Sequence, residues 1–400
     1  MICKMIIPSK RTEKIHYAIR EIVEKSRQLE KKGIKVLPLN IGDPMKFDFS
    51  IPMHMQEAVK KGLADTGSYS YATGIPEALD AIKKEASRDH RCDVSTDDIA
   101  VTNGLSEGIT FALGCLLNPG ENILLPRPVY PMYTAAASYN DAECNFYDLD
   151  EENSWMPDVG DIRKNVNDKT QAIVVINPNN PTGGVYSKKN LKAVLDIAAE
   201  NKLVVFADEI YSKMVYDDMP FYPMASLTKD APVVAMNGLS KSYLCPGWRA
   251  GWLVFHDPQQ QMQEYKNAVF RVLRARLCPV HPTQLAIKPA LEGPQDHLPL
   301  VNKKLKERAQ ITYKMLNEID GISCVKPKGA FYAFPKIDVP VPDREFVEGF
   351  LMDKHVMMVY GSGFGQKEGT KHFRVVFLPE PHVLEDAYNR LADYMKKIRQ

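Results

Sequence analysis

No run of uncharged apolar residues in this 400-residue chain is long enough to cross a bilayer as a helix. Charge of one sign is not in surplus either. The 51 basic residues nearly cancel the 50 acidic ones, leaving +1, so nothing electrostatic draws the chain to nucleic acid or to an anionic membrane. The seven cysteines (Cys3, Cys92, Cys115, Cys144, Cys245, Cys278 and Cys324) are scattered, odd in number and without a CxxC pair. That speaks against a disulfide framework or a structural zinc site and fits a reducing cytoplasm. The nine histidines show no HExxH or comparable spacing, and no metal site is expected. The N-terminal MICKMIIPSKRTEK has a basic end, but its apolar piece is too short for a signal peptide. No repeat or low-complexity tract stands out.

What is present is ordinary globular composition, 44% hydrophobic and 25% charged, in a length that predicts two domains, or three. Residues 13–33 predict an amphipathic helix, with Ile15, Ala18, Ile19, Ile22 and Val23 on one stripe and Gly33 as its C-cap. VLPLNIGDP then gives an apolar run ending in a Gly-Asp-Pro turn. A second helix fits 76–88, with Pro76 in its first turn.

The middle of the chain alternates. AIVVI (172–176) and LVVFA (203–207) are continuous apolar runs of the kind covered on both faces of a sheet. Between them, 187–201 carries Leu191, Val194, Leu195 and Ala198 at helical spacing, with Ser187 as N-cap. Strand, helix, strand predicts a right-handed βαβ unit and a largely parallel sheet. PVVAMNG (232–238) and AGWLVF (250–255) add strands. From about residue 290 a long helix, the apolar SCVKPKGAFYAF and a closing helix after 380 read as a separate α+β layer, on which the N-terminal segment packs. The expected division is an N-terminal arm and helix over 1–50, a large domain over 51–288 and a small C-terminal domain over 289–400.

Ligands of open α/β sheets sit beyond the carboxyl ends of the strands. After AIVVI comes NPNNPTGG (177–184), after LVVFA comes DEIYSKM with Asp208 and Tyr211, and after PVVAMNG comes LSK with Lys241. Each piece alone has a plain structural meaning. A charged loop residue is usually just solvated, and Pro and Asn favour tight turns. Three such groups at successive strand ends are harder to ascribe to chance. NGLSKSYLCPGWRAGW (237–252) then sets Lys241 and Arg249 close together among bends and apolar bulk.

A lysine shielded from water becomes a nucleophilic amine that can form a Schiff base. A buried carboxylate can keep a pyridine nitrogen protonated, which makes the ring an electron sink. An arginine beside N–H groups at a helix start binds phosphate. Phenol and amide donors hold a phenolate oxygen. Together these describe a pocket for pyridoxal 5'-phosphate.

The sequence also resembles the fold-type I, class I aminotransferases, closest in pattern to the bacterial alanine aminotransferases. The resemblance runs over nearly the whole chain. It goes from HYAIREI and LNIGDP through SYSYATGIPE, TNGLSEGI, PRPVYPMY, INPNNPTGGVYSK and FADEIYSKMVYDD to NGLSKSYLCPGWRAGW, VKPKGAFYAFPKID and HFRVVFLP. It implies an α/β fold with a mainly parallel mixed sheet flanked by helices, plus a smaller α+β domain. It implies Lys241 as the residue joined to the cofactor and as proton shuttle, and Asp208 as partner of the pyridinium nitrogen. Tyr211 and Asn180 would hold the 3'-oxygen, and Tyr130 would stack on the ring, though core packing alone could equally account for that tyrosine. Arg249 and the N–H groups of Leu105 and Ser106 would bind the phosphate. Arg374 would clamp the substrate α-carboxylate, where without the resemblance it reads as a surface cation at a strand end. Gly42 would approach the substrate with its backbone, and Tyr17, Arg20 and Tyr332 would line the substrate pocket. Tyr69 would reach the phosphate of a neighbouring subunit, implying a homodimer with shared sites.

One departure stands out. Many aminotransferases of this fold carry a phosphate-binding serine three residues before the lysine, and here that position is Gly238. Ser240 or Ser106 would supply the hydroxyl instead. GSGFG (361–365) lacks GxGxxG spacing and a following helix, and reads as a turn near the substrate.

The expected reaction is transamination between L-alanine and 2-oxoglutarate by a ping-pong route, in the cytoplasm. The alternatives are an aspartate or aromatic aminotransferase, a β-lyase with the same cofactor, or a pyridoxal-phosphate-binding regulator of transcription. The last is disfavoured by near-zero net charge and by the roughly forty residues before IGDP, too few for a DNA-binding domain.

Overall fold

The runs AIVVI and LVVFA lie side by side in an eight-stranded sheet. The computed structural model describes residues 6–89, 92–217 and 219–399, so Cys3 and the start of the N-terminal stretch fall outside it. In chain order the strands are β1 (Ile99–Asn103), β2 (Asn122–Arg127), β3 (Glu143–Asp150), β4 (Met156–Pro157), β5 (Thr170–Ile176), β6 (Val204–Asp208), β7 (Val233–Gly238) and β8 (Ala250–His256). Their order across the sheet is β1-β8-β7-β6-β5-β2-β3-β4. Neighbours from β7 to β3 pair in parallel, while β8 is antiparallel to both β7 and β1, and β4 to β3. This is the mainly parallel mixed sheet of an α/β fold. β6 and β7 are buried at every position, which is why they read as unbroken apolar runs rather than alternating ones.

Helices cover the sheet. After α1 (Ala18–Glu30), which lies with the C-terminal part, they include α2 (Pro76–Asp89), α3 (Leu105–Leu116), α4 (Pro131–Tyr139) and α5 (Lys188–Glu200). α3 packs across β1, β8 and β7, and α4 against β3. Ser187 caps α5, its Oγ accepting from the Asn190 N–H at 3.2 Å. The C-terminal part holds α6 (His297–Asn317), α7 (Asp343–Lys354) and α8 (Pro381–Ile398) around a small antiparallel sheet. Its strands β9 (Tyr332–Ala333), β10 (Val359–Tyr360) and β11 (Phe373–Val376) run in the order β9-β11-β10. α1 packs against β10 and α7.

The helix expected over 13–33 is broken. A short turn covers Lys10–Glu13, the chain leaves helical geometry, and α1 starts only at Ala18, so Ile15 is not on its stripe. The physical reason is Tyr17, which sits extended at φ −135° just before the helix. From there its hydroxyl lies 2.8 Å from that of Tyr130. α1 ends at Glu30, and Gly33 follows at φ +79°, where the chain turns away.

The reversal of β8 sets up the site. Its amino end meets the carboxyl ends of β1 and β7, with Ala250 opposite Asn103 and Gly251 opposite Gly238. Residues following β1, β5, β6 and β7 and the residue preceding β8 therefore converge on one edge. The same contact accounts for Gly238. A Cβ there would lie 2.7 Å from the Ala250 carbonyl oxygen and 2.9 Å from Gly251 Cα, so the neighbouring backbone fills the space a serine needs. Gly238→Ser is expected to lower stability by about 1–3 kcal/mol in urea unfolding, as overpacking does. An unchanged midpoint contradicts this.

Candidate active site

A cavity of about 530 Å³ opens at this edge. Lys241, just past β7, lines it and donates from Nζ to the Gly42 carbonyl at 2.6 Å. Burial brings its amine down from 10.5 to about 8, assisted by the nearby Arg374 and Arg249 charges and opposed by Asp43 and Asp208. Asp208 ends β6 at 3% exposure. Its Oδ2 accepts from the Tyr133 hydroxyl at 2.9 Å and its Oδ1 from the Ile210 N–H at 3.3 Å. Burial lifts its carboxyl from 3.8 to about 6, against the pull of these two donors and of Lys241. Both groups are thus shifted toward their neutral forms by a site that lacks their charged partners.

At one end of the cavity α3 begins at Leu105 and Ser106, and no side chain caps it. Gly104 precedes it at φ +73°, and a Cβ there would collide with the Arg249 guanidinium. Only glycine lets the guanidinium reach this helix start. Arg249, itself left-handed at φ +54°, donates to the Pro246 carbonyl at 3.0 Å and the Asn103 carbonyl at 3.5 Å. Ser106 and Ser240 line the same cavity. Helix-start N–H groups, a guanidinium and two hydroxyls make an anion site.

At the other end lies Arg374, in β11 and 1% exposed. Its Nη1 donates to Asn180 Oδ1 at 3.1 Å, its Nη2 to the Asn40 carbonyl, and its buried Nε has no partner. The guanidinium carbon lies 4.8 Å from the ring centres of both Tyr332 and Phe364. No carboxylate pairs with it among the described residues, and burial pushes its pKa down. A buried cation held only by neutral groups is set to receive an anion. With its Oδ1 taken, Asn180 has its amide donor to offer a ligand. The Tyr211 and Tyr332 hydroxyls are 2.9 Å apart, and burial holds both phenols protonated. Tyr17 and Tyr130 form the second hydroxyl pair, and Arg20 and Gly42 also line the wall.

The structure therefore brings every site residue named from the sequence to this cavity except Tyr69, which is 80% exposed on the surface. Arg374 is interior rather than a surface cation at a strand end. Sequence reasoning missed Tyr133, which holds Asp208, and Asp43, which lines the wall beside Gly42. Both stand inside the motifs PVYPMY and NIGDP, and the signal was there: Tyr133 is one helical turn past Tyr130. The apolar lining from Ile19, Ile41 and Ile210 carried no signal, because it looks like core.

The profile of the family described as aminotransferase class I and II matches residues 34–391. The chain is 39% identical to the glutamate-pyruvate aminotransferase AlaA of Haemophilus influenzae, over 98% of each chain. It is 37% identical to an alanine aminotransferase of Mycobacterium tuberculosis, over 98% of this chain and 93% of that one. A solved alanine aminotransferase from Pyrococcus furiosus superposes with a TM-score of 0.95 at 47% identity, covering 98% of this chain and 100% of that one. The chain belongs to the class I and II aminotransferases. Its cofactor is pyridoxal 5'-phosphate, and the cavity fits that group. The α3 start and Arg249 suit a phosphate, the amine of Lys241 suits an aldehyde, and the raised carboxyl of Asp208 suits a cationic ring nitrogen.

The Lys241 value sets a pH dependence. A group whose pKa is lowered to about 8 is mostly the free amine above that pH and mostly protonated below it. Mixed with pyridoxal 5'-phosphate, the cofactor-free protein should gain visible absorbance at a rate that rises with pH and levels off above about 8. A rate still climbing toward 10.5, the ordinary value for lysine, contradicts this.

Proposed function

We propose that the protein is an alanine aminotransferase, moving the amino group of L-alanine to 2-oxoglutarate and leaving pyruvate and L-glutamate. The observation that carries this is the coexistence, in one cavity, of a lowered lysine amine, a raised carboxyl and a buried arginine without a counter-ion. Pyridoxal 5'-phosphate, when bound, supplies an aldehyde carbon that takes up the amino group and a ring that draws electrons from the Cα–H bond. Lys241 would hold that carbon at rest and would carry the proton at the substrate Cα. Asp208, fixed by Tyr133, would accept the ring N–H. Tyr211 and Asn180 would hold the ring oxygen, and Tyr130 would pack on the ring. Arg249, Leu105, Ser106 and Ser240 hold the phosphate. Arg374 pairs with the α-carboxylate, fixing Cα against the lysine. Gly42 and Tyr332 wall the substrate in.

The relatives support alanine, and so does the wall: Ile19 and Ile41 line the same cavity as Tyr17, an apolar lining that suits a methyl group. Glutamate must bind in the same place with a second carboxylate. Arg20 lines the cavity, is exposed, and forms no ion pair among the described residues, so it is the cation available to that carboxylate. The same reading makes the protein a cytoplasmic homodimer, with an N-terminal arm and helix over 1–50 packing with a small domain at 289–400, beside a large domain at 51–288. No helix among the described residues is long and apolar enough to cross a membrane. Tyr69 and Tyr71 are exposed on a loop tied to Arg276 and His281, and Arg276 also pairs with Glu107 in the first turn of α3. A second subunit covering that loop would bring its own phosphate end close to Tyr69.

Lys241→Ala should abolish the protein-bound chromophore and lower turnover by about 10²–10⁴-fold or more. Purified variant working at the wild-type rate rules the mechanism out. In a panel of amino donors with 2-oxoglutarate, alanine should lead. Release of pyruvate or ammonia without glutamate would point to a lyase. Arg20→Met should raise KM for glutamate about tenfold while changing that for alanine less than threefold. Equal changes in both would remove Arg20 from side-chain recognition.

A further inference from the structure

Two residues before Arg374, in an isolated antiparallel bridge to Lys336 just before β11, lies His372, 2% exposed and used by none of the transamination chemistry. Residues two apart on a strand face the same side. The His372 ring stacks on Phe334 at 4.9 Å and 7°, and Phe334 meets Phe364 edge-on at 5.8 Å. Phe364 is one of the two rings against the Arg374 guanidinium. Trp155 closes the stack, with its ring centre 5.8 Å from that of His372. A continuous pile of rings thus runs from His372 to the arginine.

Both nitrogens of His372 face acceptors. Nε2 is 3.2 Å from Glu151 Oε2, and Nδ1 is 3.2 Å from Gln366 Oε1. The Gln366 amide cannot be turned round, because its Nε2 donates to the Thr370 carbonyl at 2.9 Å and to Asp343 Oδ2 at 3.2 Å. A neutral imidazole has one donor, and only the imidazolium has two. The remaining charged groups nearby agree with a cation here. Asp343 stands behind Gln366 and also accepts from the Ser362 N–H at 2.5 Å. Lys371 is turned away to the Val339 carbonyl at 2.6 Å, and the Lys336 side chain is exposed. The Cys324 thiol is kept neutral by burial and by Glu151. Glu151 lies in the turn between β3 and β4 of the large sheet, so the pair ties that sheet to the strand carrying the arginine.

We propose that His372 is a positioning residue held as a buried imidazolium between Glu151 and Gln366, and that its charge fixes the Phe334–Phe364 stack that aims Arg374 at the substrate carboxylate. The proposal rests on Arg374 being the carboxylate clamp. Loss of the ring removes both hydrogen bonds and the stack on Phe334, so the clamp loosens while Lys241 is untouched. Binding of a carboxylate should weaken when this ring is replaced, and turnover at saturation should not follow it.

Two measurements test this on the holoenzyme. With nitrogen-15-labelled histidine, the ring signal that disappears in His372→Gln should show both nitrogens protonated at neutral pH; a neutral ring overturns the proposal. KM for pyruvate should rise about tenfold in His372→Gln, with kcat within about threefold of wild type. A variant that keeps the wild-type KM, or loses kcat alone, overturns the positioning role. Absence of any pyruvate turnover in the wild type overturns the reading of the site and the positioning role with it, while the nitrogen spectrum still decides the charge of His372 separately.

Discussion

Of the charged groups that share one cavity, Arg374, Lys241 and Asp208 each lack an oppositely charged hydrogen-bond partner among the described residues. Arg374 is held by an amide and a carbonyl, Lys241 by a carbonyl, and Asp208 by a phenol and a backbone N–H. Burying a charge without its counterpart costs several kcal/mol even after relaxation. The chain carries that cost because the counterparts arrive with the ligands. In the proposed reading an α-carboxylate meets Arg374, an aldehyde takes up the Lys241 amine, and a protonated ring nitrogen meets the acid. The lowered amine and the raised carboxyl are the signature of this incompleteness, and the lowered amine is shifted toward the nucleophilic form that Schiff-base formation requires.

The fold serves this arrangement by one topological device. In a fully parallel sheet a residue preceding a strand would lie at the far edge from the site. Because β8 is reversed between β7 and β1, Arg249 reaches the edge where β1 gives way to α3 and where β7 gives way to the lysine. The glycines at 104, 238 and 251 allow that closeness by giving up side-chain volume, since each lies where the neighbouring backbone or guanidinium already is. The N-terminal helix is interrupted to the same end, so that Tyr17 can meet Tyr130 across the cavity. The C-terminal layer contributes Arg374 and Tyr332 from adjacent strands, β11 and β9.

Much of this was legible in the sequence, for identifiable reasons. Strands buried on both faces announce themselves as apolar runs, and the residues just past the end of each run mark the site. That logic found Asp208, Lys241 and the Asn180 turn. The positions of Arg374, Arg249 and Tyr130 came from resemblance, because a single arginine on a strand or a tyrosine in an apolar run has no local signature of function. Tyr133 and Asp43 escaped because each acts through a neighbour or a wall. The His372 network was beyond sequence reasoning altogether: Glu151, Gln366 and His372 are brought together only by tertiary packing. The break before α1 was hidden for the opposite reason, since the apolar spacing continued through residues that a tertiary contact pulled out of the helix.

The central claim is that Lys241 and Asp208 grip one flat heterocycle from two sides. A crystal structure of the protein grown with pyridoxal 5'-phosphate measures this most directly. The account predicts continuous density from Lys241 Nζ to the cofactor, the ring nitrogen within hydrogen-bond distance of the Asp208 carboxylate, and the phosphate against Arg249 and the start of α3. Density for the cofactor elsewhere, or a ring nitrogen with no contact to Asp208, contradicts it.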